Sequence, residues 1–308
     1  VIALTAAALR RAAVRATLAP SVRNSQPWRF VLRESSLEIH ADWNRRVPVV
    51  DRDGHQLLTS CGAAIFNARV SLAAGGYETV VDRYPDPLQP DLLARLTIGP
   101  GRSLRPPPGE LDAAVGARHS NRQEFTDEEV PVDLVAELAV AASAEGAELV
   151  SLATSADQQV AARLTALADS LEEADPAYRA EVRAWAAGDP RRRDGVPGTD
   201  TRGSGWLTGT PRAAALPCLL LLGSARDTPL AWVCLGEALE RILLELTDRG
   251  YVASLLAQPV EVAQTNAMLR TQLRLTIHPG LLLRVGRAPT TVAARRRRLV
   301  DLITEAVP

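Results

Sequence analysis

The sequence predicts an α+β protein made of two related halves, and three observations carry that expectation. Helical stretches rich in Ala and Leu interleave with short β-branched or alternating strands along the whole chain. Five residues, Gly62, Ala64, Leu72, Gly76 and Tyr77, recur as Gly236, Ala238, Leu246, Gly250 and Tyr251 at one constant offset, each set on a long apolar helix that ends in Gly-Tyr before a strand. The 308 residues are enough for two compact units.

In chain order, an Ala-rich amphipathic helix runs to about Leu18 and stops at Pro20-Ser21. It lacks the apolar core and small-residue cleavage pattern of a signal peptide. Trp28–Leu32 and Leu37–Ala41 alternate as a hairpin around Glu34-Ser35-Ser36. An Arg/Pro/Asp-rich loop, Asn44–Gly54, leads to a long apolar helix over Gln56–Ala74 with Gly75-Gly76 as its stop signal. Val80–Arg83 reads as a strand, Pro90–Arg95 as a short helix and Leu96–Ile98 as a strand. Pro100–Gly109 is the clearest linker, which divides the chain into halves 1–105 and 109–308.

Beyond the linker the pattern gives helices over Leu111–Arg118 and Val132–Glu145, and a strand over Glu148–Leu152. Helices over Asp157–Glu173 and Pro176–Ala187 form an insertion. The stretch 190–211, dense in Gly, Pro, Thr and Arg around Trp206, has no regular pattern, and a loop of that length reads as a lid. A buried strand at Leu216–Leu222, helices at Leu230–Arg249 and Glu261–Thr271 and a strand at Leu281–Val285 complete the body. Arg295–Ala306 is a last helix or extension.

Composition excludes several classes. Hydrophobic residues make up 46% and charged residues 23%, as in an ordinary globular protein, and the formal net charge is −1. No global basic field exists to gather nucleic acid or an anionic membrane. Every basic residue is Arg, a consequence of GC-rich codons or of a preference for bidentate anion contacts. Cys61, Cys218 and Cys234 are an odd number without Cys-x-x-Cys spacing, which points to free thiols in a reducing cytoplasm. The run Ala213–Gly223 is too short to cross a bilayer. His40, His55, His119 and His278 show no metal-ligand spacing, and His55, just after a Gly turn, reads as a surface residue. Nucleotide-type Gly-rich loops and a Gly-x-Ser-x-Gly elbow are absent.

Two stretches carry chemistry. In Pro20-Ser21-Val22-Arg23-Asn24-Ser25-Gln26-Pro27-Trp28, Ser21, Asn24 and Gln26 offer paired donors and acceptors to a polar planar ligand. The same residues also make a helix stop followed by an aromatic-anchored strand. In Arg118-His119-Ser120-Asn121-Arg122, two guanidinium groups flank a hydroxyl and an amide at a helix end, suited to a phosphate monoester. They could equally form a solvated Arg face capped by Ser120 or Asn121.

Together these stretches resemble the nitroreductase superfamily, with its Pro-Ser-x-x-Asn-x-Gln-Pro-Trp segment and Arg-x-Ser-x-Arg phosphate clamp. The order of segments across nearly the whole chain is similar to the double-length Acg-type group: Asp51-Arg52-Asp53-Gly54, Ser60-Cys61-Gly62, Gln258-Pro259-Val260-Glu261 and Leu282-Leu283-Arg284-Val285-Gly286 fall in sequence. The resemblance implies a nitroreductase-like pseudo-dimer of two fused halves, each a mixed sheet flanked by helices. It implies one FMN per chain. The first half supplies Ser21, Asn24 and Gln26, the second supplies Arg118, His119, Ser120, Asn121 and Arg122. The matching segments are missing from each half, so the second site is decayed.

It further implies phosphate contacts from Arg295 and Arg296, and main-chain contacts to the flavin edge from Ser254 and Leu255. The implied activity is hydride transfer at flavin N5 to a small organic substrate, with NAD(P)H a candidate reductant and no side chain obliged to act as acid or base. The alternative is a flavin-sequestering protein with a lid over FMN. A cytoplasmic monomer or loose homodimer, without nucleic-acid, membrane or metal partners, completes the expectation.

Overall fold

The computed structural model describes residues 2–99, 107–121, 123–187, 192–197, 217–289, 291 and 293–305. The first half runs α1 (Ile2–Ala16), β1 (Trp28–Leu32), β2 (Ser36–Ala41), α2 (His55–Ala74), β3 (Thr79–Arg83) and β4 (Leu92–Ile98). After the short α3 (Asp112–Ala117), the second half runs α4 (Val132–Ala144), β5 (Glu148–Ser151), the insertion helices α5 (Ser155–Ala174) and α6 (Pro176–Trp185), and the two-residue pair β6 (Ala186–Ala187) and β7 (Val196–Pro197). It continues through β8 (Cys218–Ser224), α7 (Pro229–Asp248), β9 (Val252–Leu256), α8 (Gln258–Glu261), α9 (Ala263–Gln272) and β10 (His278–Gly286), and ends in β11 (Ile303–Glu305).

The two halves share one topology. Sheet order is β11-β1-β2-β4-β3 in the first and β5-β8-β10-β9 in the second. Matching α1 to α4, β1 to β5, β2 to β8, α2 to α7, β3 to β9 and β4 to β10 superimposes the orders, and every matched neighbour pair is antiparallel. The hairpin turn between β1 and β2 corresponds to the whole insertion between β5 and β8. β11 adds a parallel strand to β1, so the C-terminal segment completes the first half's sheet and makes it mixed.

Helices α2 and α7 pack face to face, and the repeated glycines are where they touch. A Cβ on Gly62 would lie 2.0 Å from the Val233 carbonyl oxygen, and one on Gly236 would lie 1.9 Å from that of Thr59. Thr59 and Val233 are separated by the same offset as the glycines. A pseudo-twofold axis therefore passes between Gly62 and Gly236, and only residues without a Cβ permit that approach. Both helices end alike: Gly76 and Gly250 each have φ +74, and Tyr77 N and Tyr251 N donate to Leu72 O and Leu246 O at 3.1 and 2.8 Å. This is a left-handed glycine stop. By length and composition α2 could cross a membrane, but it is buried at this interface, with Leu57–Leu72 inside.

Three expectations change. Residues 90–95 form no helix: Leu92–Ile98 is one strand, because Leu92, Leu93, Ala94 and Leu96 are buried between β2 and β3 and tertiary pairing overrides the Pro-Asp helix signal. The segment expected as one helix over 261–271 begins at Gln258 and breaks at Val262 into α8 and α9. His55 is half-buried, edge-on to Trp232 with ring centroids 5.2 Å apart, and burial lowers its pKa to about 4. The C-terminal stretch is an extension with a short 3-10 turn at Leu299–Asp301. Linker residues 100–106 and most of 190–211, Trp206 included, lie outside the described residues.

Candidate functional site

The turn after α1 is held in a conformation that side chains resist. Arg23, Asn24 and Gln26 have φ of 49, 51 and 50, left-handed values that cost non-glycine residues of order 1–3 kcal/mol each. Hydrogen bonds over-determine it: Gln26 N donates to Ser21 Oγ and Val22 N to Ser60 Oγ, both at 3.0 Å. Trp28 and Pro27 anchor the exit in the core. Ser21 thus shapes the turn from within.

Gln26 is fully buried and its carboxamide is committed. Nε2 donates to Asn24 O at 3.3 Å and Arg193 O at 2.9 Å, and Oε1 accepts from Arg297 N at 2.7 Å. Asn24 Nδ2 donates to Gly195 O at 3.3 Å and Arg295 O at 3.1 Å, while its Oδ1 accepts from Arg296 Nη1 at 3.2 Å. The two amides therefore tie together three segments: the turn, residues 193–195 of the insertion, and the tail.

Arg118 follows α3 and enters the interface with its side chain 3% exposed. Its Nη2 donates to Leu18 O at 3.1 Å. Arg296 reaches the same place from the tail, donating to Thr17 O at 3.0 Å, Leu18 O at 2.9 Å and Ala19 O at 3.1 Å. Two guanidinium groups thus converge on the carbonyl end of α1, where the helix dipole favours cations. Of the tail pair, Arg296 sends its side chain there. Arg295 is exposed and reaches Asn24 through its carbonyl.

Beneath Arg118 lies Glu240 of α7, fully buried, with Oε1 3.3 Å from Arg118 Nε. Asn67 of α2 lies beside it. Among the described residues, both Glu240 oxygens, both Asn67 amide atoms and Arg118 Nε and Nη1 lack a well-aligned hydrogen bond. Buried polar groups are normally satisfied, so this cluster has capacity for a further partner. Burial raises the Glu240 pKa, with Arg118, Asn67 and Arg296 opposing. Burial, then Arg118 and Arg296, lower that of His119, and Arg296 itself is lowered to about 10 by burial and by Arg118. The surplus of positive charge over Glu240 suits a phosphate-bearing anion.

His119 and Ser120 are half-buried beside Arg118, and Arg122 lies outside the described residues. Asn121 has a different task from the one expected. Its side chain closes a turn on Gln123, through Gln123 N to Oδ1 at 3.2 Å and Nδ2 to Gln123 O at 3.1 Å. Its main chain hangs the segment from β9, with Asn121 N to Ala253 O at 2.9 Å and Ser254 Oγ to Asn121 O at 2.7 Å. Ser254 therefore acts through its hydroxyl, while Leu255 pairs with Leu283 in the sheet.

The insertion covers the turn. Arg23 Nη2 donates to Tyr178 Oη at 2.8 Å, Glu181 accepts from Val49 N and Val50 N, and Arg45 pairs with Asp194. Arg45 and Arg192 flank the Trp185 ring at 5.6 and 5.4 Å. Between this strap and the tail lies a cavity of about 490 Å³ lined by Arg192, Arg193, Asp194, Arg297, Arg298 and Asp301. None of Glu240, Asn67, Arg45 or Tyr178 was singled out by sequence. Glu237 and Glu240, carboxylates set among Leu235, Ala238, Leu239 and Ile242 of α7, were the signal available.

The equivalent place across the pseudo-twofold axis is filled differently. Arg241, the offset mate of Asn67, donates to Glu145 at 2.9 Å; Glu145 accepts from Arg69 at 2.6 Å; Arg69 also pairs with Glu237, which Arg83 meets at 2.5 and 2.8 Å. Against the burial that would raise it, Arg69 and Arg83 hold the Glu237 pKa low. Where the first half has the turn from Ser21 to Gln26, the second has only Glu145-Gly146-Ala147 between α4 and β5.

Two copies of one α+β unit, fused about a helical axis with one cation-rich site across their interface, define a single-chain pseudo-dimer. No family model matches the chain. It is 30% identical over 295 residues to Rv3131 of Mycobacterium tuberculosis strain H37Rv, provisionally named an NAD(P)H nitroreductase, covering 89% of this chain and 83% of that one. To acg of the same strain, which bears the same provisional name, it is 25% identical over 303 residues, covering 93% and 91%. A solved nitroreductase with bound FMN from Desulfitobacterium hafniense DCB-2 is 16% identical over 64% of this chain and 98% of that one, with a TM-score of 0.45. The chain belongs to the nitroreductase superfamily, among its double-length, Acg-type members.

Proposed function

We propose that the chain is an FMN-dependent oxidoreductase holding one flavin across the interface of its halves. The observation that carries this reading is the Arg118 guanidinium, buried with Nη1 unpartnered among the described residues and joined by Arg296 at the end of α1. The donor set fits the phosphate of FMN. Arg118 and Arg296 would hold it, with His119 and Ser120 alongside. The strained Ser21–Gln26 turn would face the ring, and Ser254 fixes the clamp to β9. When bound, FMN supplies hydride transfer to and from a small organic substrate, and NAD(P)H is the reductant suggested by the relatives' names. The chain's own residues bind, orient and exclude water; none is required as acid or base.

The filled mate site around Arg69 and Glu145 supports one flavin per chain. The Arg-rich cavity beside Gln26 would admit an anionic reductant or substrate. A second reading, flavin sequestration, is favoured by the strap: residues 193–195 bond directly to Asn24 and Gln26. Purified protein mixed anaerobically with NADPH or NADH decides between them. Bleaching of the flavin absorbance supports turnover; a flavin that stays oxidised with both cofactors supports sequestration. A colourless protein that takes up no FMN rejects both.

A further inference from the structure

We propose that Glu240 is the counter-ion that Arg118 exchanges for the flavin phosphate, so that FMN binding draws a proton from solvent onto the Glu240 carboxylate. The inference rests on the FMN reading above and concerns a residue outside both sequence motifs. Glu240 is fully buried, its Oε1 lies 3.3 Å from Arg118 Nε, and its near polar neighbours Arg118 and Asn67 both stand outside well-aligned hydrogen-bond geometry. Arg118 Nη1 is unpartnered as well, so the pair is in register for charge but is not locked by hydrogen bonds.

The charged groups facing Glu240 are Arg118, from the segment after α3, and Arg296, from the tail; α2 contributes the uncharged Asn67, and His119 stands beyond Arg118. Without ligand, the described residues set two guanidinium charges against one carboxylate. A phosphate dianion reverses that surplus among the described residues and sets a negative charge next to Glu240. An uncompensated buried charge costs several kcal/mol, and protonating Glu240 removes it. Burial already raises this carboxyl, and Arg118 is the strongest of the groups pulling it back. Phosphate takes that pull away. The proton comes from solvent and resides on a Glu240 oxygen; no other bond changes.

His119 and Arg296 face the same phosphate and their pKa values would also rise, so the test must separate them. Flavin-stripped full-length chain is titrated with FMN by calorimetry in buffers of differing ionisation enthalpy between about pH 7 and pH 9, where the phosphate, with a second pKa of about 6, is dianionic. The expected result is uptake approaching one proton, with affinity falling by up to about tenfold per pH unit. Riboflavin, which lacks the phosphate, should show none, and Glu240→Gln should bind FMN with no uptake and a flat profile. FMN binding without proton uptake in the wild type overturns the inference alone. Uptake unchanged in Glu240→Gln assigns the proton to His119 or Arg296 and also overturns it. If Glu240→Gln does not fold, the wild-type contrast between FMN and riboflavin decides. No FMN binding at all removes the site reading, and the inference with it.

Discussion

Arg118 stands in a place where only one arrangement of charge is tolerable: a guanidinium among buried atoms, over Glu240 and under the end of α1. On the proposed reading, replacing it with Ala would remove a charge-assisted bond to phosphate worth about 1.5–3 kcal/mol, or roughly 10- to 100-fold in FMN dissociation constant. It also strands Glu240, so a lower melting temperature should accompany the weaker binding. His55 gives a pH test independent of the flavin. Its folded pKa of about 4 lies below the unfolded value, so the neutral ring's contribution is complete above about pH 6.5 and is lost as pH falls through about 4. Urea midpoints measured across that window should fall on acidification, and the fall should shrink in His55→Gln. Ser21, Arg118 and Arg296 stand out in the sequence by residue type, and the structure places the two guanidinium groups together at the end of α1 with Ser21 inside the turn that follows. Glu240 and Asn67 were not legible, because only the crossing of α2 with α7 brings them beneath Arg118. The commitment of Gln26 to the strap and tail depends on contacts to residues 193 and 297, which no local pattern in the turn reveals.

At the level of elements, the α2–α7 crossing is the most constrained contact. Ala at Gly62 or at Gly236 places a methyl about 2 Å from a facing carbonyl oxygen. Overpacking of this kind costs about 1–3 kcal/mol or more, and the axis requires similar losses from both variants in denaturant unfolding. A large loss from one and none from the other would contradict the symmetry. The strap has its own test: Arg45→Ala leaves Asp194 with Arg192 as its remaining partner and unties residues 192–197 from the first half, so FMN should dissociate faster in stopped-flow displacement with little change in stability. The repeat glycines were legible because a close crossing can be met only by glycine, which marks the sequence twice. β4 was misread because Pro90-Asp91 looks like a helix start, while its strand character comes from burial between β2 and β3. β11 was invisible for a related reason: three residues acquire strand geometry only by lying beside β1.

Taken as a whole, the molecule is a dimer made continuous and then made unequal. The β1-β2-β4-β3 order is repeated as β5-β8-β10-β9, but the strap and tail both converge on the first half's turn. The mate site instead holds the Arg69–Glu145–Glu237–Arg83 network, and breaking it by Glu145→Gln leaves Arg69 and Arg241 short of a partner, at a cost of about 3–5 kcal/mol for a buried pair. That loss should appear in thermal unfolding while FMN content is unchanged. The central claim is one flavin site per chain, built across the halves on Arg118. Native mass spectrometry of the full-length chain at an FMN concentration that just saturates it, alongside its Arg118→Ala variant at the same concentration, tests it most directly. The account predicts one FMN per wild-type chain and strongly reduced occupancy in the variant. Two FMN per chain, none, or full occupancy without Arg118 would contradict it.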